Sequence, residues 1–242
     1  MRVASKVIFL VKDRYGDAIL DALQPSPSAC LRKEEFAFDL SLEKYGVKDQ
    51  KASGKVVNFV DDQKCPKVSI VLLHNYKPPI VACAVFEVLI AILSDSSSNA
   101  PEFLLPIVAS SLELKFIMKL ADLSLEDQNA TVYGAQFGPL TDFIKSMLSK
   151  IRKLPSDFQV ASEPLACLLQ VARALELPTV LIVGSGSADK KERPTDQELE
   201  TLFNVLEFTA SHVGFSVSKD LLHLTTPQEL REHQEPWRAW YA

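Results

Sequence analysis

The sequence has no apolar run of membrane-spanning length, no basic tract, no clustered cysteines and few glycines, and each shortage removes a class of function. Its one apolar stretch near the N-terminus, Val7 to Val11, is closed by Lys6 and Lys12. That is too short for the core of a secretory leader and far short of the roughly 20 residues of a membrane helix. A cytoplasmic or nuclear protein without a membrane partner is expected. Lys and Arg number 26 against 31 Asp and Glu, a formal net charge of -5. No segment gathers the cations needed to neutralise a phosphate backbone, so nucleic acid is not the expected partner. Cys30, Cys65, Cys83 and Cys167 stand far apart, without the close C-x-x-C pairs of zinc and redox sites, and reduced thiols are expected. Only 8 Gly accompany 14 Pro, and the residues are 47% hydrophobic and 24% charged. This is the composition of an ordinary globular protein rather than a linker chain. At 242 residues the chain is long enough for one sizeable core.

What is present reads as strands alternating with helices. Val7–Val11 is a continuous β-branched and aromatic run, the pattern of a strand covered on both faces. Residues 35–40 alternate apolar and polar, and 55–60 could pair with them; these two read as antiparallel additions to the sheet. Residues 68–73 form the next buried strand, ending at His74-Asn75. Pro78-Pro79 can open a helix because a proline's missing N–H is an orphan there anyway. The helix over 80–93 is mostly apolar, so it is expected to pack on the sheet and on another layer or subunit. Residues 103–108 read as a strand that Pro106 confines to an edge or a bulge.

In the second half, Gly138–Asp142 leads into a helix with Leu140, Phe143, Ile144, Met147, Leu148 and Ile151 at helical spacing. Another helix starts at Ser162-Glu163-Pro164, carries Leu165, Leu168, Leu169, Ala172 and Leu175, and stops at Pro178. Thr179–Val183 follows as a buried strand, which Gly184–Ser187 ends in a flexible loop. Thr195–Glu198 has the form of a capping box, with Leu199, Leu202, Phe203 and Leu206 on the buried face. The expected fold is α/β, a single domain with a mostly parallel central sheet and helices on both faces, three layers in all.

Chemistry is harder to find. Gly184-Ser185-Gly186-Ser187 follows a strand as a phosphate loop does, but lacks the third glycine of G-x-G-x-x-G and any G-K-[ST]. No G-x-S-x-G presents a serine. Cys83 lies within Val81–Val85, an apolar setting that raises a thiol pKa, and reads as a core cysteine. His74, His212, His223 and His233 form no H-x-x-x-H pair. Asp61-Asp62 reads as a solvated turn, since adjacent residues at a strand end point apart. No catalytic residue, metal or cofactor is expected.

The C-terminal segment departs from this pattern. Both tryptophans, Trp237 and Trp240, fall in the last six residues, where polar, disordered sequence is usual. The triplet Trp240-Tyr241-Ala242 has the hydrophobic-Tyr-any form with which proteasome activators and assembly chaperones dock between core-particle α-subunits. The run Gly138-Pro139-Leu140-Thr141-Asp142-Phe143, then Glu163-Pro164-Leu165-Ala166-Cys167-Leu168 and Leu177-Pro178-Thr179-Val180-Leu181, also resembles the proteasome assembly chaperone 1 family. The similarity spans roughly residues 130 to 185 plus the tail. It implies a non-enzymatic chaperone of α-ring assembly that forms a heterodimer with a homologous second chaperone. Trp240, Tyr241 and Ala242 would contact the α-subunits and the 80–93 helix is a candidate for the pairing face. The expected division is residues 1–235 as the α/β domain and 236–242 as a docking tail. The rival reading is a hydrolase- or phosphorylase-like enzyme, or a relative of one without its site, with residues 74–77 and 184–187 lining a site at the carboxyl ends of the strands.

Overall fold

The computed structural model describes residues 1–12, 15–26, 29–95, 100–110, 132–155, 158–160, 162–186 and 196–225. Its centre is an eight-stranded mixed sheet. The strands are β1 (Lys6–Val11), β3 (Arg32–Ser41), β4 (Lys51–Val60), β5 (Pro66–Leu73), β6 (Glu102–Ser110), β7 (Val132–Phe137), β8 (Arg152–Lys153) and β9 (Thr179–Gly186). Their spatial order is β3-β4-β5-β1-β6-β9-β7-β8. β1 pairs in parallel with both β5 and β6, and β6 with β9. The β3–β4, β4–β5 and β7–β9 pairs are antiparallel. A separate two-stranded ribbon joins β2 (Leu23–Pro25) to β10 (Phe215–Val217).

Burial on both faces explains the continuous apolar strands. Val7, Ile8, Ile70, Val71 and Leu181 to Val183 are all fully enclosed. Alternate side chains enter two cores. On one face, α2 (Ile80–Ser94) and α4 (Glu163–Ala174) cover Val7, Phe9, Val71, Phe103 and Leu181. On the other, α1 (Gly16–Ala22), α3 (Asp142–Leu148) and α5 (Asp196–Val213) cover Ile8, Ile70, Leu104 and Ile182. α6 (Lys219–Thr225) packs beside α1. The antiparallel pairing of β3 and β4 matches expectation, as does the three-layer arrangement, and the helix expected over 80–93 runs from Ile80 to Ser94.

α2 lacks a broad polar face because it has neighbours on two sides. Val81, Ala84, Val85, Val88, Leu89 and Ile92 are buried against the sheet and α4. Tyr45 closes part of the outer side, its ring edge-on to Phe86 at 6.3 Å and its hydroxyl donating to Glu87 Oε2 at 3.0 Å. Lys44 pairs with the same carboxylate. Burial, first, and then the bond to Glu87 push the Tyr45 hydroxyl pKa up. α3 starts where Thr141 Oγ1 accepts from the Ile144 N–H at 3.2 Å, a capping bond that satisfies an orphan donor. Leu140 precedes that cap and is exposed, and Ile151 falls beyond the helix end, so neither belongs to the helical stripe.

Two further expectations need correction. Pro106 is neither at an edge nor in a bulge: β6 lies between β1 and β9, and its register with β9 runs unbroken from Phe103 to Ser110. The sheet tolerates it because amides of a parallel strand face alternate neighbours. Glu102 N–H donates to the Ser5 carbonyl on the β1 side and Phe103 N–H to Pro178 on the β9 side, both at 2.8 Å. Even-numbered amides of β6 therefore face β1, where pairing stops at Ile8–Leu104. The missing N–H of Pro106 falls on that unpaired side. The second correction concerns Gly184-Ser185-Gly186, which continues β9 opposite Val108 to Ser110 rather than forming a loop. A Cβ at Gly184 would stand 2.5 Å from Val205 Cγ2 and 2.6 Å from Thr201 Cγ2. The glycine lets α5 lie against the sheet. Ser187 and Thr195 lie outside the described residues.

Candidate functional site

The end of β1–β6 pairing opens the sheet. Past Ile8 and Leu104 the two strands have no further partners in each other, and a crevice of about 220 Å³ lies between their carboxyl ends. Phe9 and Leu105 enter it from one core, Leu10 and Val108 from the other. It thus reaches both faces of the sheet, at the place where the strand order turns from β5 to β6 about β1, the usual ligand position of open α/β sheets.

Helix starts flank it on both faces. Gly16 begins α1 within contact distance of the strand it follows, for a Cβ there would stand 2.4 Å from the Val11 carbonyl oxygen. No larger residue allows this close approach. On the opposite face Ser162, Leu165 and Leu168 of the α4 start line the crevice together with Phe158 and Val160. Tyr15, Gln159 and Ser162 are the polar side chains of the described lining, which has no carboxylate, imidazole, thiol or amine.

This is not the site the enzyme reading places at residues 74–77 and 184–187. His74 and Asn75 follow β5, on the far side of β1, and none of residues 74–77 or 184–186 lines the crevice. Tyr76 instead holds β4, its hydroxyl accepting from the Ser53 N–H at 2.6 Å and donating to the Lys51 carbonyl at 2.8 Å. The crevice could not be found from sequence motifs, because hydrophobic strand and helix residues make it; Pro106 was the one available signal.

The other residues singled out by sequence are dispersed. Cys83 lies half-buried on α2 and Cys167 on α4, while Cys30 and Cys65 are exposed; all four are free thiols. Burial, more than the nearby Glu163, raises the Cys167 pKa. Asp61 organises the β4–β5 turn, accepting from the Gln63 and Cys65 N–H groups at 3.0 and 2.9 Å and pairing with Lys67 at 2.9 Å. Lys67 first, then the Cys65 amide, holds its carboxyl below the usual range. Asp62 turns away to Arg32. His212 is fixed at the end of α5, with Nδ1 2.8 Å from the Phe208 carbonyl. Among the described residues no three His, Cys, Asp or Glu side chains gather as a metal site, and no helix is long and apolar enough to cross a membrane. Trp240, Tyr241 and Ala242, His233 and the expected tail boundary at 235–236 lie outside the described residues.

A family model described as a domain of unknown function, DUF7894, matches residues 1–242. The chain belongs to that family. No curated protein matches it in sequence. Solved structures do resemble it in fold. A Mycobacterium tuberculosis protein of unknown function, Rv2714, aligns with TM-score 0.54 and 10% identity over 93% of this chain and 75% of its own. A protein of unknown function from Corynebacterium glutamicum aligns with TM-score 0.50 and 8% identity over 93% and 80%. The Mycobacterium tuberculosis proteasome-assembly chaperone homologue Rv2125 aligns with TM-score 0.50 and 10% identity over 91% of this chain and 90% of its own. At these identities the likeness is one of fold.

Proposed function

We propose that this chain is a non-enzymatic chaperone of proteasome core-particle assembly that binds α-subunits through a C-terminal docking tail, residues 236–242. The observation that carries the reading is the near end-to-end fold match to a proteasome-assembly chaperone homologue, over 91% of one chain and 90% of the other. The sequence triplet Trp240-Tyr241-Ala242 supports it independently. A terminal carboxylate pairs with a lysine in a cleft, the tyrosine ring fills the cleft while its hydroxyl bonds to backbone, and the tryptophan covers the opening. The crevice favours binding over catalysis, since its described walls offer no acid and base to act together. A homologous second chaperone would complete a heterodimer. On α2 the strip available to it is Ala82, which is exposed, with half-buried Cys83, Phe86, Ile90 and Leu93.

The test compares two tail variants for binding to isolated α-subunits and for melting temperature. Deleting Trp240 to Ala242 removes two aromatic anchors, each worth ~2 kcal/mol or more at an interface, so affinity should fall by about a hundredfold or more. Adding one residue after Ala242 keeps both rings and displaces only the carboxylate, leaving its lysine unpaired. Both variants should melt with the parent. A lowered melting temperature on deletion with a harmless extension would instead place the tail on its own domain. Parental binding by both variants would refute the docking role.

A further inference from the structure

The crevice between β1 and β6 has a chemistry that tail docking does not use. The β1 carbonyls that face β6 belong to odd-numbered residues: Ser5 accepts from Glu102, and the register Val7–Phe103, Ile8–Leu104 continues that ladder. The next carbonyl in the series is that of Phe9, and the residue of β6 due to donate to it is Pro106, which has no N–H. Phe9 is 3% exposed. The ladder therefore supplies no donor to the carbonyl of this buried, crevice-lining residue. Around it the described lining is mainly apolar, with Tyr15, Gln159 and Ser162 as its polar side chains, and carries no charged side chain.

From this juxtaposition we propose that the crevice binds a neutral, mainly apolar small molecule of one or two rings, whose single N–H or O–H donates to the Phe9 carbonyl. Size supports the class, because a cavity of about 150 Å³ holds benzene and this one has about 220 Å³. Neutrality follows from the described walls, since an ion entering them would lose its hydration and meet no opposite charge among the described lining residues. The donor requirement follows from Pro106: a buried acceptor left without a partner is costly, and a ligand that satisfies it recovers that cost. The site stands apart from the proposed tail function, and its test uses no proteasome component.

Indole, 1-methylindole and indole-3-carboxylate are the probes, titrated into the full chain by calorimetry or ligand-observed NMR. Indole should bind about tenfold more tightly than 1-methylindole, the factor that one net hydrogen bond provides, and the carboxylate should bind more weakly than indole. Pro106→Ala supplies the missing N–H, so the preference for indole should shrink to about twofold or less. Val160→Trp, at the half-buried wall away from the β1–β6 ladder, should weaken indole and 1-methylindole alike by at least about tenfold by occupying the space. It tests the site even if Pro106→Ala does not fold. Equal affinity for indole and 1-methylindole, an unchanged preference in folded Pro106→Ala, parental binding by Val160→Trp, or no binding by the parent would each overturn the proposal.

Discussion

Gly184→Ala isolates the contact that seats α5 on the sheet. The added Cβ would stand 2.5 Å from Val205 Cγ2 and 2.6 Å from Thr201 Cγ2, whereas carbon atoms rest at about 3.5 to 4.0 Å. Neither neighbour can swing away cheaply, because Val205 and Thr201 are 0% and 3% exposed and both are β-branched, with restricted χ1. The helix must shift by roughly 1 Å to restore contact distance. Overpacking of this kind costs about 1 to 3 kcal/mol. Reduced freedom of the unfolded chain returns about 0.4 to 1 kcal/mol, which leaves a net loss on the order of 1 to 2 kcal/mol. For a chain of this length the melting temperature should fall by roughly 2 to 8 °C. Calorimetry or circular dichroism reads the shift, and Val205→Ala in the Gly184→Ala background supplies the control. Removing the Val205 methyls opens the space that the new methyl needs, so the double variant should be more stable than the sum of the two single losses by about 0.5 kcal/mol or more. An unchanged or raised melting temperature in Gly184→Ala, or strict additivity in the double variant, would refute this account of the glycine.

Leu89→Ala, on the wholly enclosed side of α2, should lower unfolding free energy by about 2 to 5 kcal/mol in denaturant titration, with little change in slope. Cys30 and Cys65 should react rapidly with iodoacetamide at neutral pH, and Cys167 slowly, because burial raises its pKa and lowers its thiolate fraction; peptide mapping by mass spectrometry follows each site, and the Cys167 rate should climb as pH rises toward its raised pKa. Asp61 has a lowered folded-state pKa, so its contribution is present above the ordinary carboxylate pKa and is lost as pH falls through the depressed one. Asp61→Asn should therefore show a shallower loss of melting temperature than the parent between about pH 4 and 2. An equally steep acid limb would assign no role to the Lys67 pair.

Legibility in the sequence followed burial. Val7–Val11, 68–73 and 80–93 could be read directly because elements enclosed on two sides are apolar throughout, and such runs have few alternative explanations. The short elements gave weaker signals. α1 has only 7 residues, and the β2–β10 ribbon joins two three-residue strands from opposite ends of the chain; neither local periodicity nor turn chemistry marks such a pairing. β7, which carries Tyr133-Gly134-Ala135, also lacks a strong alternating pattern. Its place is set by antiparallel pairing with β9. Gly184 and Pro106 misled for one common reason: the local rule for each residue describes its usual surroundings, while tertiary packing decided these two cases. Gly184 serves an approaching helix, and Pro106 turns its missing donor toward an unpaired strand end. The crevice was illegible because its lining residues come from both cores and read individually as ordinary hydrophobic side chains.

The position of Pro106 also determines which measurement reports on it. Replacing it with alanine would restore one backbone hydrogen bond to Phe9, a net gain of about 0.5 to 1.5 kcal/mol. The same replacement would free the unfolded chain, a loss of about 0.4 to 1 kcal/mol. These terms oppose one another with nearly equal size, so stability alone is a poor readout of whether the strand end is open by design or by accident. Ligand preference has no such cancellation. Unfolded-state entropy alters the amount of folded protein equally for indole and 1-methylindole, and their affinity ratio in the folded chain depends on the acceptor each one meets. The tail variants are separable on the same ground, for the crevice is built by residues between Phe9 and Leu202 and the proposed docking group by Trp240 to Ala242. A chain that loses α-subunit binding on truncation yet keeps its preference for indole would carry two independent binding sites. One that loses both while melting with the parent would couple the crevice to the tail and overturn their separation.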